Sequence, residues 1–333
     1  MLTRKLIASA AVALVATAAI APAHAARVGD IVFFGDSLSD TGNIWYASSG
    51  FPPPPYNQGS SGAGPDRTGG QWSDMLGPSW PTVLANMYGQ FATPSLVGGN
   101  NYAWGGARTG VNPDAGDAPW LNQQVGQYLL ENSPAGRAPI GQTLFSVMIG
   151  GNDVANNLGS AAAIQAGIVN IVDSINALYN AGGRQFLVAN VPDVGATPRF
   201  QELDQGLPGI AALATGTTLQ WNAALEAVLG ALNLADARIY LLDLYGLGKD
   251  PQLLAGYANT TDACLTDDGM CADPSTYFYW DTFHPSSTTH SAIARFAALA
   301  VGVPEPAALA LMLFGLGGMA LAGRRRARPG ATT

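Results

Sequence analysis

A serine at position 37 behind Gly35-Asp36, an asparagine at 152 behind Gly150-Gly151, a second glycine pair at Gly105-Gly106 and the run Asp281-Thr282-Phe283-His284 can do chemistry together. Acyl transfer needs a hydroxyl nucleophile, a base beside it, a group that orients the base, and donors for the oxyanion. Ser37 supplies the hydroxyl and His284 the base. Asp281 lies three residues before His284, close enough to accept an imidazole N–H and fix the tautomer. The donors on offer are the Ser37 N–H, the Gly106 N–H and the Asn152 amide. Glycine lets a backbone N–H meet a ligand with no side chain in the way, and on residue type alone Gly105 serves as well as Gly106. Each block is weak by itself, because Gly-Asp-Ser and paired glycines occur in ordinary turns. No G-x-S-x-G is present, so the nucleophile elbow of the α/β-hydrolases is not the source.

Other chemistries find less support. His290 has no acidic neighbour of the kind His284 has, and reads as helix surface. No HExxH occurs and the cysteines number two, which counts against zinc. Asp262, Asp267, Asp268 and Asp273 lack EF-hand spacing and read as a solvated acidic loop. Gly315-Leu316-Gly317-Gly318-Met319-Ala320 matches a dinucleotide fingerprint, but no strand precedes it. No metal or cofactor is expected.

The elements that must position these residues alternate. Ile31, Val32, Phe33 and Phe34 form a continuous apolar run, the pattern of a strand buried on both faces of a parallel sheet. Gly35 allows a sharp turn, leaving Ser37 at the strand's carboxyl end, where open α/β sheets bind ligands. Residues 144–149 form a similar run, and Asn152 follows it as Ser37 follows the first. Further strands are expected at 185–191 and 238–244, with helices near 80–88, 161–179, 213–232 and 287–301. That alternation implies a parallel sheet with covering helices. Between 43 and 80 lies a Gly/Pro/Ser-rich stretch containing Phe51-Pro52-Pro53-Pro54-Pro55-Tyr56. Four prolines exclude helix. With Trp45, Tyr46, Trp72 and Trp80, this stretch reads equally as the wall of a cleft or as a surface loop.

Both ends read as sorting devices. Arg4-Lys5, an apolar stretch over 6–20 and Ala23-His24-Ala25 make 1–25 a secretory leader, cut by signal peptidase before Ala26. Val303-Pro304-Glu305-Pro306 precedes 16 apolar residues, 307–322, and then Arg324, Arg325, Arg326 and Arg328. That run is short of the roughly 20 residues that span a bilayer, and the arginines would hold its far end on the cytoplasmic side. A transient stay in the inner membrane is expected, with 26–302 as the folded domain and 303–333 as the tail. Six of the 15 Lys/Arg and one of the 23 Asp/Glu fall in the two end segments, so the domain carries a net charge of −13. This argues against nucleic acid, which calls for a basic patch. Hydrophobic content of 48% against 11% charged residues allows a large core. Cys264 and Cys271, an even pair in an exported chain, are expected to form a disulfide.

The tail resembles the PEP-CTERM sorting signals of Gram-negative bacteria. That resemblance implies cutting by an exosortase-like enzyme and a place in the periplasm, cell envelope or extracellular matrix. Gly35-Asp36-Ser37-Leu38-Ser39, Asn101-Tyr102-Ala103-Trp104-Gly105-Gly106, Gly150-Gly151-Asn152-Asp153 and Asp281-Thr282-Phe283-His284 resemble the blocks of the GDSL/SGNH hydrolases, in that family's order. Asp36-Ser37-Leu38-Ser39-Asp40-Thr41-Gly42-Asn43 and Asn190-Val191-Pro192-Asp193-Val194-Gly195 are similar to its branch of plant GDSL lipases and lecithinase/haemolysin-like enzymes. The resemblance implies a flavodoxin-like three-layer α/β/α sandwich with a five-stranded parallel sheet. It also implies Ser37 as nucleophile, His284 as base, Asp281 as orienter, and Ser37, Gly106 (rather than Gly105) and Asn152 as oxyanion donors. The implied activity is that of an exported serine esterase or lipase acting through an acyl-enzyme on a lipid, a short-chain ester or an acylated polysaccharide. A polysaccharide O-acetyl esterase is an alternative with the same chemistry. A non-catalytic surface or matrix binding protein on the same fold is a third, against which the intact Ser37, Asn152, Asp281 and His284 speak.

Overall fold

The computed structural model describes residues 28–60, 66–114, 118–131 and 140–302. The expected leader over 1–25 and the expected tail over 303–333 lie outside the described residues.

Strands β1 (Asp30–Gly35), β2 (Thr143–Met148), β3 (Gln185–Ala189) and β4 (Arg238–Leu242) form one sheet in the order β1-β2-β3-β4. Every neighbouring pair is parallel, with Phe34 opposite Val147 and Val147 opposite Val188. Successive side chains leave a strand on opposite faces, and the sheet therefore has two cores. Val32, Phe34, Phe145 and Val147 face one, Ile31, Phe33, Leu144 and Met148 the other. The first core is covered by helices Leu121–Glu131, Ala161–Asn180 and Ile210–Ala231, which contribute Val125, Ile168, Ile171, Ile175, Trp221 and Leu225. The second is covered by Trp80–Met87 and Ser287–Val301, through Trp80, Leu84, Ile293, Ala294 and Ala297. This is the expected three-layer α/β/α sandwich.

The helix ends follow from local chemistry. Ser160 Oγ accepts from Ala163 N–H at the start of Ala161–Asn180, and Ser286 Oγ accepts from Thr289 N–H at the start of Ser287–Val301. Such a side-chain oxygen satisfies one of the N–H groups that a helix start leaves without a partner.

The expected fifth strand is not formed among the described residues; the sheet has four. Residues 100–104 still run beside β1. Phe33 N–H donates to Asn100 O, Tyr102 N–H to Phe33 O and Trp104 N–H to Gly35 O, and Phe33 and Asn101 form a single parallel bridge. Side chains take up other bonds along this edge: the Ile31 and Gly35 N–H groups donate to Gln90 Oε1 and Gln124 Oε1. Asn100 Nδ2 donates to Ile31 O, Asn101 Nδ2 to Ser39 O, and Asn101 Oδ1 accepts from Ala103 N–H. Side-chain bonds of this kind compete with ladder bonds. The segment nevertheless occupies the edge position outside β1. The chain order therefore reverses between β1 and β2, and a crevice opens at their carboxyl ends, where such sheets bind ligands.

Candidate active site

Ser37 and Asn152 stand on the two sides of that crevice. Gly35 brings β1 close against β2, since a Cβ there would lie 2.2 Å from Met148 O. The chain then turns sharply, with Asp36 O accepting from both Ser39 N–H and Asp40 N–H. Ser37 is left 6% exposed, its side chain turned toward the loop before helix Ser287–Val301.

That loop carries His284. Its Nε2 lies 2.8 Å from Ser37 Oγ and its Nδ1 2.8 Å from Asp281 Oδ2. Burial alone would raise the Asp281 pKa. The facing His284 and the N–H groups of His284 and Phe283 outweigh that and hold it down to about 2. Asp281 is thus a carboxylate, Nδ1 carries the proton it donates to Oδ2, and Nε2 accepts from the Ser37 hydroxyl. Asp281 Oδ1 accepts from Phe283 N–H and His284 N–H, each at 2.7 Å. The residues expected to act as a triad from their types are in hydrogen-bond contact, although Ser37 and His284 are 247 positions apart.

Three residues that carry the expected donors line the cleft at Ser37. Gly106 adopts φ +75, a left-handed conformation that glycine takes without strain. The Gly105 N–H is occupied, donating to Asp40 Oδ2 at 2.9 Å. The Gly106 and Ser37 N–H groups have no hydrogen-bond partner among the described residues, and Gly106, Ser37 and Asn152 all line the cleft. One Asn152 amide hydrogen is taken by Ala107 O at 3.0 Å, leaving the other available.

Two spaces meet here. One is a cleft of about 830 Å³ whose polar wall includes Arg199, Glu202, Asp267 and Asp268. The other is a narrower chamber of about 90 Å³, walled by apolar side chains such as Leu38, Met148, Val191, Val194, Leu244 and Phe278. Ser37, Asn152 and Phe283 border both. Cys264 and Cys271 are joined, with Cα atoms 4.8 Å apart, and close the hairpin that brings Asp267 and Asp268 to the cleft. Asp262 and Asp273 do not join them; they accept from Asn259 Nδ2 and from Ser275. Among the described residues no group of three or more His, Cys, Asp or Glu is arranged to hold a metal ion.

The structure corrects one reading and refines another. His290 is not on the helix surface but fully buried. Its Nδ1 accepts from Trp80 N–H and its Nε2 donates to Trp72 O, and burial pushes its pKa down to about 4. The apolar stripe of its helix faces the sheet, so a polar residue on that stripe is buried and must find backbone partners. Of the four aromatics weighed as cleft wall, Trp72 is in the cleft, its ring 4.7 Å from the His284 ring. Trp80 is core, and Trp45 packs on Tyr46.

Sequence reasoning missed three groups. Tyr56, beside the proline run, donates its hydroxyl to Asp281 Oδ2 at 2.8 Å across 225 positions, a separation that no local spacing reports. Asp36 is buried beneath Ser37, and burial pushes its pKa up to about 7 against the Leu38 N–H bond that lowers it. Asp153, buried next to Asn152, accepts from the Thr109 N–H and hydroxyl. Both acids sit inside motifs quoted for their neighbours, and their position within those motifs was the only signal.

Residues 31–296 match the family model of the GDSL-like lipase/acylhydrolases, and residues 302–326 match the PEP-CTERM protein-sorting motif. The thermolabile hemolysin of Vibrio parahaemolyticus is 25% identical over 294 residues; the match covers 81% of this chain and 63% of the hemolysin. A GDSL esterase/lipase of Arabidopsis thaliana is 25% identical over 328 residues, covering 85% of this chain and 92% of the plant protein. Among solved structures, a lipolytic protein of the G-D-S-L family from Veillonella parvula superposes with a TM-score of 0.40 at 14% identity, covering 82% of this chain and 97% of that one.

Proposed function

The chain belongs to the GDSL-like lipase/acylhydrolase family and is a carboxylic ester hydrolase; on that premise we propose that it works through an acyl-enzyme formed on Ser37. The carrying observation is the pair of 2.8 Å contacts that run from Ser37 Oγ through the His284 ring to Asp281. In the proposed first step Ser37 Oγ attacks the ester carbonyl while His284 Nε2 takes its proton. The carbonyl oxygen becomes an oxyanion, held by the Ser37 N–H, the Gly106 N–H and the second Asn152 amide hydrogen. Asp281 keeps the ring oriented and stabilises the imidazolium. Collapse breaks the bond to the alcohol, which leaves with the proton from His284. Water repeats the sequence on the acyl-enzyme, giving the acid and restoring Ser37.

The apolar chamber at Ser37 supports an acyl chain as its occupant, and the polar cleft supports the alcohol. An ester of an apolar acyl group with a polar alcohol is the substrate class that fits both. The greater width of the cleft favours a second reading, O-acetyl groups carried on a polysaccharide. The PEP-CTERM motif marks the chain for export and processing of the Gram-negative envelope type. In our reading 26–302 is the released enzyme, after signal peptidase and an exosortase-like enzyme act on the two ends.

Fluorophosphonate labelling, with Ser37→Ala alongside, tests the mechanism. The parent should label at Ser37, and the variant should fall to the residual rate that donors and binding supply. Turnover near the parent's in Ser37→Ala, or no label on the parent, would overturn it. A panel of short- and longer-chain p-nitrophenyl esters, phospholipid and acetylated xylan separates the two substrate readings. Rates that climb with acyl length favour the first, and activity confined to acetyl xylan favours the second.

A further inference from the structure

We infer that Tyr56 is a positioning residue for the acid–base pair, supplied by the segment between Asn43 and Trp80, and that its hydroxyl sets the basicity of His284. The inference rests on the serine mechanism proposed above and deepens it.

Asp281 Oδ2 serves two donors. One is His284 Nδ1 and the other the Tyr56 hydroxyl, both at 2.8 Å. With the two backbone donors on Oδ1, the carboxylate accepts four hydrogen bonds. The phenol remains a donor throughout the working range, because burial and then the Asp281 charge raise its pKa.

The Tyr56 ring is held in place. It meets Trp72 and Trp280 edge to face, each with centroids 5.8 Å apart. Its backbone belongs to a two-stranded ribbon in which Tyr56 pairs with Asp74 and Asn57 with Gln71. The ribbon is in turn fastened to the helix that follows His284. Asp74 accepts from the Ser287 N–H at 2.6 Å and from its hydroxyl at 2.8 Å, and Trp72 O accepts from His290 Nε2. Trp72 then lays its ring on the imidazole. The ribbon and the catalytic loop are one unit.

The electrostatic consequence has a definite sign. The phenol turns the positive end of its O–H dipole toward the oxygen that attracts the imidazolium. It stabilises the carboxylate and weakens its pull on a protonated ring, which favours the neutral ring that acts as a base. Removing the hydroxyl should move the acid limb of the pH–rate profile to higher pH. Other charged or titratable groups facing the pair are Asp36 beneath Ser37, His290 behind Trp72, and Arg199, Glu202, Asp267 and Asp268 around the cleft. Tyr56→Phe leaves all of these in place and fills the same ring site.

The test is Tyr56→Phe in the full-length chain, read two ways. The acid limb of kcat/KM should move up by roughly half a unit, and the His284 imidazole titration followed by NMR should move with it. A midpoint that stays put, or falls, overturns the inference even if kcat drops, since a merely structural tyrosine would lower the rate without moving the titration. Ser37→Ala separates the two failures. If that variant is inactive and Tyr56→Phe shifts nothing, the mechanism stands and Tyr56 has no tuning role. If Ser37→Ala is active, both readings fall. The NMR titration reads Tyr56 without any turnover at all.

Discussion

Asn152→Ala is the substitution that most sharply divides transition-state stabilisation from substrate binding. The side chain is half-buried at the start of the short helix Gly151–Asn156 and makes one internal hydrogen bond, to Ala107 O. Losing that bond should cost about 1 kcal/mol of stability, too little to unfold a domain with this much buried core. The other amide hydrogen has no described partner, and in the proposed mechanism its partner is the oxyanion. Removing such a donor typically costs about 10²–10³ in kcat, or roughly 2.7–4 kcal/mol of transition-state binding. KM should hardly change, because the charge on the carbonyl oxygen develops only in the transition state. Asn152→Asp gives a second reading of the same site. It is nearly isosteric but places an acceptor, and at neutral pH a negative charge, where the oxyanion forms. Its kcat should fall below that of the alanine variant by at least about tenfold. Steady-state kinetics on the plateau of the pH profile, with urea midpoints from the same preparations, supply the numbers. A rise in KM at constant kcat would refute the role and make Asn152 a substrate contact. So would an aspartate variant as active as the alanine one.

Asp281→Asn should lower both the plateau rate and the midpoint of the acid limb, because the imidazolium loses its counter-charge; an unchanged midpoint in the pH–rate profile would show that the carboxylate does not govern His284. His290 links acidity to stability. Its pKa is about 4 when folded against 6.5 as a free side chain, so the unfolded chain takes up the proton first, and stability held above pH 6.5 drains away as pH falls toward 4, by about 3 kcal/mol. His290→Gln keeps a donor and an acceptor for Trp72 O and Trp80 N–H but does not titrate, and its urea midpoint should change less between pH 7 and pH 4 than the parent's; an identical change in both would remove His290 as the cause. A chain limited to 26–302 should be soluble and as active as the processed enzyme, which mass spectrometry of the native protein and a side-by-side assay would check.

Much of this was legible in residue types, and what was not has physical reasons. The buried strands announced themselves, because a strand covered on both faces must be apolar at every position, as Ile31 to Phe34 are. The sites at strand ends followed from the glycines that stop those runs. The fifth strand failed because side chains take ladder groups of β1: Asn100 Nδ2 donates to Ile31 O, and the Ile31 and Gly35 N–H groups donate to Gln90 Oε1 and Gln124 Oε1. His290 was misread because a histidine on a helix has no pattern that distinguishes a solvated ring from one that clamps two buried backbone groups. Tyr56 was invisible for a different reason. Its partner comes from the far end of the chain, and the proline run that brings it there signals only an extended segment. Periodicity reports which face is buried; it does not report which distant group shares a carboxylate oxygen.

The segment between Asn43 and Trp80 therefore does two things at once. Tyr56 and Trp72 line the polar cleft in which the alcohol of the substrate would lie, and the same two side chains touch Asp281 and His284. In the proposed mechanism the walls that meet the substrate are also the supports of the base. A substitution that widens the cleft at Trp72 removes the ring stacked on the imidazole, although the Trp72 backbone oxygen still accepts from His290 Nε2. On that mechanism substrate fit and proton transfer are coupled through a few shared atoms, and changes of specificity in this segment should carry changes in the pH profile with them. Residues on the opposite side, such as Val191 and Leu244 in the apolar chamber, touch neither Asp281 nor His284 through any described hydrogen bond. If the acyl group lies there as proposed, acyl preference should vary at these positions while the base keeps its strength, and the two ends of the ester would be governed by parts of the fold with unequal freedom to change.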